Sequence, residues 1–243
     1  MIKVVRGIII SEVDYSETSK IINVLTSESK IIGILCKGAK SIKSKLRVST
    51  SKFSYGDFHL YYKEDKLSTL ITVDVLNEFR NIKSDIILIG YLGYIVELSS
   101  QVAKQNTSEK IFSFLISILT KINEGLNPMI LTNILEIKLL DYLGIGLNLD
   151  SCSLCGTKTN IITIDGSNGG LICKKCFTNE IIVDLKIMKL LRLYYYVDID
   201  TITKLDISHE ICLQINDFIN NYYEKYAGLY LNSKKFLEEI TSK

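Results

Sequence analysis

Four of the six cysteines in this chain are spaced for metal chemistry. They form two pairs, Cys152-Ser-Leu-Cys155 and Cys173-Lys-Lys-Cys176, separated by seventeen residues. Two cysteines three positions apart can aim their sulfurs at one point when a tight turn lies between them. Gly156 follows the first pair, where such a turn needs backbone freedom. The residues between the pairs read as strand, turn, strand: Ile161 to Ile164, then Asp-Gly-Ser-Asn-Gly-Gly170, then Leu171-Ile172. A hairpin of this kind returns the second pair to the first. Four thiolates then complete a tetrahedral Zn²⁺ shell with no open position, so the expectation is one structural zinc on Cys152, Cys155, Cys173 and Cys176. Two disulfides, or a redox-active CxxC, would use the same residues. A paired motif in a ribbon fits metal better.

The second stretch able to do chemistry is basic. Residues 37–52 hold Lys37, Lys40, Lys43, Lys45, Arg47 and Lys52, with no acidic residue. Lysine and arginine neutralise phosphate charge, and the interspersed serines and threonines donate to phosphate oxygens. A solvated loop with no partner has the same composition. Net charge over all 243 residues is only +2, so any nucleic-acid footprint must be local. Tyr55, Tyr61 and Tyr62 follow this stretch. They suit base stacking or a barrel wall equally in type, and the wall is the commoner fate.

These residues need elements to hold them. Residues 1–78 read as five strands: Val4 to Ile10, Lys20 to Thr26, Lys30 to Cys36, Phe53 to Lys63 and Leu67 to Val75. Turn signals separate them, at residues 14–17, 27–29, 37–39 and 63–66. A shift in alternation at Gly56-Asp57 predicts a bulge. Five short strands suggest a small barrel, and an OB-fold leads. From residue 82 the period becomes helical. Tyr91, Ile95, Leu98 and Val102 mark one buried stripe, and Ile111, Leu115, Ile118 and Ile122 mark another. Asn127-Pro128 opens a third helix running to about Leu143. After the ribbon, a helix capped by Asp184 and another starting at Ser208 are expected, then a short one over residues 232–240. In Tyr194-Tyr-Tyr196, core packing is expected, with one ring at the surface.

The class is therefore α+β: an OB-fold over 1–78, helices over 79–148, a Cys₄ ribbon over 149–180, and further helices over 181–243. Cys36 and Cys212 stand alone in apolar surroundings and are expected in the core. The apolar run from Ile86 to Val96 falls short of the ~20 residues that span a bilayer. The charged N-terminal stretch does not suit a signal peptide. A cytoplasmic protein without membrane attachment is expected. No GxxxxGK[ST], HExxH or GxSxG occurs. His59 and His209 lie far apart, and Glu238-Glu239 sits on a polar helix. No catalytic residue is assigned.

Several stretches in this order resemble the bacterial RecO family of DNA-repair and recombination mediators. They are Arg6-Gly-Ile-Ile9, Asp14-Tyr-Ser-Glu-Thr-Ser-Lys20, Cys36-Lys-Gly-Ala-Lys40, Phe53-Ser-Tyr-Gly56, and Leu143-Gly-Ile-Gly-Leu147 before Cys152. Leu191-Arg-Leu-Tyr-Tyr195 and the run from Tyr222 to Leu237 complete the set. The resemblance covers essentially the whole chain. It implies an OB-fold, a helical domain and, in members with the cysteines, a zinc ribbon. It further implies binding of single- and double-stranded DNA, annealing of complementary strands, and loading of RecA onto coated single strands. The implied partners are RecR and the C-terminal tail of the single-stranded-DNA-binding protein, in a bacterial, nucleoid-associated setting. Two alternatives from other classes stand beside this reading: an RNA-binding module built on the same barrel-plus-ribbon parts, and an enzyme with an unrecognised metal-dependent site.

Overall fold

In a computed structural model, residues 1–64 and 66–241 are described. Asp65, within the turn expected at 63–66, lies outside them. The chain forms two compact units. One comprises residues up to Asn123 together with the chain from Asn232; the other comprises Glu124–Leu231.

The first unit is built on five strands: β1 (Ile2–Asp14), β2 (Lys20–Thr26), β3 (Ile31–Cys36), β4 (Tyr55–Tyr61) and β5 (Ser68–Asn77). β1 pairs antiparallel with β4 through Ile2–Ile8 and with β2 through Gly7–Asp14. Serving two neighbours in succession is why this strand extends beyond the apolar run Val4 to Ile10. The order β1-β2-β3-β5-β4 returns to β1, which is the OB-type arrangement. Its weakest seam is β3 on β5, a parallel contact of two residue pairs, Ile34–Ser68 and Leu35–Thr69. Inward positions alternate as a half-buried strand requires: Gly56, Phe58 and Leu60 are buried along β4. Phe58 and Leu60 join Ile9, Ile22, Val24, Ile34 and Cys36 in the barrel core.

The β4–β5 register slips between Tyr55 and Gly56, beside the expected shift, and again between His59 and Leu60. Gly56 is required there, because a Cβ would lie 2.4 Å from the carbonyl oxygen of Asp74. β1 has its own slip between Ile9 and Ser11.

The helices of this unit are α1 (Leu46–Ser49), α2 (Arg80–Lys83), α3 (Ile86–Gln105) and α4 (Glu109–Asn123). The last helix of the chain, α8 (Asn232–Thr241), returns to the same unit and packs on α3. Asp85 caps α3 by accepting from the N–H groups of Ile87 and Leu88. Both expected stripes, Tyr91 to Val102 and Ile111 to Ile122, are buried. Gly90 sits under α8, where a Cβ would meet Ile240 Cδ1 at 2.5 Å. α3 is long and apolar enough to cross a membrane, but most of it is buried in the protein. A buried core helix meets the same composition test.

The second unit holds α5 (Pro128–Leu139), β6 (Ile161–Asp165), β7 (Gly170–Cys173), α6 (Leu185–Tyr196) and α7 (His209–Tyr226). Asn127 accepts from Ile130 N–H at the start of α5, with Pro128 in the first turn. The helix expected to reach Leu143 tightens into a 3₁₀ turn at Asp141–Leu143, and Gly144 ends it at φ +72°. α5 is buried on every face from Ile130 to Leu139, so its apolar pattern shows little stripe. α6 and α7 pack on it, and Tyr223 Oη donates to Glu136 O at 2.8 Å. Asp184 caps α6 through Lys186 N–H. Cys212 is buried on α7. The helices expected to form one domain around the ribbon thus divide between the units. α3, α4 and α8 go with the barrel, and α5, α6 and α7 go with the ribbon. α3 packs on α4 and on strands of the barrel, and α8 joins them through Leu237 and Ile240 beside Gly90 of α3.

Candidate metal centre and nucleic-acid interface

Each CxxC pair is closed by its own backbone. Gly156 N–H donates to Cys152 O at 2.8 Å with φ +73° at the glycine. Cys152 N–H donates to Thr157 O at 2.8 Å. In the second pair, the N–H groups of Cys176 and Phe177 both donate to Cys173 O at 3.0 Å. The β6–β7 hairpin pairs Ile161 with Cys173, bringing the two turns together. Gly170, at φ +145°, lies where a Cβ would be 2.3 Å from Asn148 O, so the returning strand can tuck under the chain before Cys152.

The four Sγ atoms consequently lie within 4.8 Å of one another, with Cys155 Sγ and Cys173 Sγ 3.6 Å apart. A tetrahedral thiolate shell with metal–sulfur bonds of about 2.3 Å has sulfur–sulfur edges of about 3.8 Å. The residues therefore fit a metal ion, and convergence on one point suits a single ion better than two separate bridges. The thiols are not equivalent. Burial works to raise Cys152, but backbone N–H donors at Cys173, Cys155 and Leu154 prevail and bring it down to about 6. Cys176 is pushed up to about 12, mainly by a hydrogen bond with Cys155 and also by burial. A thiol gives up its proton when it becomes a metal ligand, so binding here releases protons. Among the described residues, this is the one group of three or more His, Cys, Asp or Glu side chains placed to hold a metal.

The basic stretch follows β3 as a series of turns leading into α1. Lys37, Lys43, Lys45, Arg47 and Lys52 are exposed. Lys37, Lys43, Lys45 and Arg47 form no ion pair among the described residues. Lys40 differs. Its Nζ reaches Asp14 Oδ2 at 2.8 Å and Ser16 O at 3.3 Å, so it ties the loop to the β1–β2 turn. Lys52 Nζ lies 4.7 Å from the ring centre of Phe53. Phe53 is itself held at φ +68°, by hydrogen bonds of β1 with the following segment: Phe53 N–H to Ile9 O and Ile9 N–H to Ser54 O.

The tyrosines separate. Tyr55 packs on Phe112, ring centres 6.1 Å apart, and Tyr62 lies under Lys3. Only Tyr61 of the three is well exposed. Tyr194 is core, as expected. Tyr195 and Tyr196 are engaged by carboxylates, Tyr195 Oη donating to Asp141 at 2.6 Å and Tyr196 Oη to Asp150.

In the first unit a groove of about 550 Å³ runs between the barrel and α3. It is lined by Ile10, Phe53, Ile89 and Phe236, with Lys52 and Lys104 among its walls. Ile10 lies in the β1 irregularity, and Phe53 in left-handed backbone; they reach the groove from separate stretches of sequence. Neither Ile10 nor Lys104 carries a signal in the sequence beyond its own type.

The family model described as Recombination protein O N terminal matches residues 1–79, and that described as Recombination protein O C terminal matches residues 83–235. This chain belongs to the RecO family. Curated relatives named DNA repair protein RecO agree. One from Listeria monocytogenes serotype 4b (strain CLIP80459) is 34% identical over 239 residues, covering 97% of this chain and 93% of the relative. Another, from Bacillus subtilis (strain 168), is 33% identical over 245 residues, covering 98% and 94%. A third, from Halalkalibacterium halodurans, is 30% identical over 241 residues, covering 98% and 94%. The RecO family assignment makes this a DNA-repair protein, with an OB-type barrel and a four-cysteine cluster fit to hold a metal.

Proposed function

We propose that this protein is a non-enzymatic recombination mediator. It binds single- and double-stranded DNA, anneals complementary strands and helps load RecA onto single strands coated by the single-stranded-DNA-binding protein, with RecR as partner. The observation that carries the reading is the loop after β3. Lys37, Lys43, Lys45 and Arg47 stand exposed and uncommitted on an OB-type barrel in a family of DNA-repair proteins. Together with Lys40 and Lys52 they neutralise phosphate charge, so that two strands can approach closely enough to pair. No covalent chemistry is required. The metal is Zn²⁺, held by Cys152, Cys155, Cys173 and Cys176 as a staple of the second unit; bound there, it supplies rigidity and no open coordination position.

Annealing of two complementary oligonucleotides tests this. The native protein anneals, and a variant with Lys37, Lys43, Lys45 and Arg47 changed to Ala does not, with zinc content and melting unchanged. Annealing retained by the variant moves the DNA surface elsewhere. No annealing by the native form at any salt removes the mediator reading. A preference for structured RNA would favour an RNA-binding module, and divalent-metal-dependent turnover would favour an enzyme.

For the partner tail, an acidic and apolar-ended peptide, the α3 groove offers Ile10, Phe53, Ile89 and Phe236 for the apolar end and Lys52 and Lys104 for the carboxylates, while its one acid, Glu97, is engaged by Ser233 N–H. A labelled tail peptide should bind, and Phe236→Asp should abolish it. A peptide that binds the variant equally well puts the tail elsewhere.

A further inference from the structure

The ribbon carries charged side chains that its role as a staple does not use. Lys158, Lys174 and Lys175 are all exposed at its cysteine end. Beside the sulfurs lies an open cavity of about 580 Å³, lined by Thr157, Thr159, Asn160, Lys174 and Lys175 together with Cys155 and Cys173. The lining is polar donors and cations. Its backbone is fixed: Lys174 N–H donates to Asn160 O at 2.8 Å, with Asn160 in the left-handed region at φ +54°. The two basic positions are thereby held by the same turns that hold the cysteines.

The ribbon's acids, Asp150, Asp165 and Glu180, are all engaged by partners other than these lysines. Asp165 accepts from Asn168 N–H at 2.8 Å and from Ser167, and Glu180 accepts from Thr178 N–H at 2.8 Å and from the Asn168 amide. Asp150, just before the first cysteine pair, is committed to Arg192, whose Nε donates to it at 2.8 Å, and to the Tyr196 hydroxyl. None of the three lysines forms an ion pair among the described residues.

We propose that the cysteine end of the ribbon is a second nucleic-acid contact, in which Lys158, Lys174 and Lys175, with the hydroxyls of Thr157 and Thr159, hold the phosphate backbone of a single strand. Hydroxyl donors beside exposed ammonium groups are the chemistry of backbone contact without sequence preference. The competing role for these lysines is to offset the centre itself, since a divalent ion on four thiolates keeps a formal charge of about −2. Three cations exceed that charge, and groups aimed at sulfur would not need to stand in solvent beside an open cavity. Exposed Leu154, between the first two cysteines, adds an apolar contact at the same end.

The inference rests on the DNA-binding reading, and its test separates the two. Binding of a labelled single-stranded oligonucleotide is measured against KCl concentration with the zinc-loaded full chain. The K158A/K174A/K175A variant should weaken binding and reduce the slope of log K against log salt by about 2, at ~0.7 for each phosphate no longer neutralised. K158R/K174R/K175R should restore it. A variant whose zinc content falls while its salt slope stays native assigns the lysines to the metal centre and overturns the proposal. A second measurement needs no variant: amine-directed methylation of the native protein, read by mass spectrometry. Protection of Lys174 and Lys175 by bound oligonucleotide is expected, and equal labelling with and without DNA overturns the proposal. Native protein that binds no DNA in the first place fails the mediator reading itself. Native binding with an unchanged slope in the alanine variant fails the ribbon contact alone.

Discussion

The ribbon and the basic loop are both short connecting segments rich in residues able to do chemistry, yet they are determined differently. In the ribbon, the chemistry dictates the geometry. Four sulfurs must converge, so the CxxC turns, Gly156 and the hairpin return are all required at once, and they come together with the sulfurs within 4.8 Å of one another. In the loop, charge alone imposes no geometry. Six similar residues acquire different fates: Lys40 joins Asp14, Lys52 lies beside Phe53, and four stay free. A coordination site is written in spacing; a charged surface is written only in composition.

The largest effect that separates the two is expected at the ribbon. Cys173→Ser should abolish stoichiometric zinc, read by elemental analysis, and destabilise the second unit by more than about 3 kcal/mol, because the binding energy of a structural metal is folding energy. Unchanged melting after metal loss would show that α5, α6 and α7 hold the unit without the staple. Next in size is the loop. Changing Lys37, Lys43, Lys45 and Arg47 to Ala should lower the salt slope of DNA binding by about 3 and leave melting unaltered. A large drop in melting would instead make the loop structural.

A smaller effect tests the platform beneath the loop. Gly56→Ala places a methyl group 2.4 Å from Asp74 O. It should cost about 1–3 kcal/mol in denaturant unfolding, as overpacking does. Smaller still is the contrast between two lysines of one loop. Lys43→Ala should weaken DNA binding more than Lys40→Ala, whose charge already faces Asp14; equal losses would show that the pair opens on binding.

The smallest effect concerns pH. Arg6 holds the Asp57 carboxyl below its ordinary range through two hydrogen bonds of 2.8 Å. A depressed carboxyl stabilises the fold above its unfolded pKa, and that contribution is lost as pH falls through the folded value. Asp57→Asn should therefore melt slightly lower than native at neutral pH. The gap should close as pH drops through and below the carboxylate range, and a gap that persists in acid would rule out the linkage.

Much of the fold was legible because local rules and tertiary demands agreed. β2 runs over Lys20–Thr26 as its pattern required, and the caps at Asn127 and Asp184 act as their positions implied. β1 is longer than its pattern implied because its outer residues, Ile2 at one end and Asp14 at the other, are paired by different neighbours rather than by their own propensity. α5 shows little amphipathic stripe because every face from Ile130 to Leu139 is covered. The α3 groove had no signature at all, since it joins residues from β1, the segment before β4, α3 and α8.

The sequence by itself determined the family, the strand-then-helix order and the cysteine set, because each depends on residue types at short, fixed separations. Tertiary structure alone decided which lysines are free, which helices belong with the barrel, and where a groove opens. Those outcomes depend on long-range pairing, such as Lys40 with Asp14 and Gly90 under Ile240. Composition and local spacing do not specify such pairings.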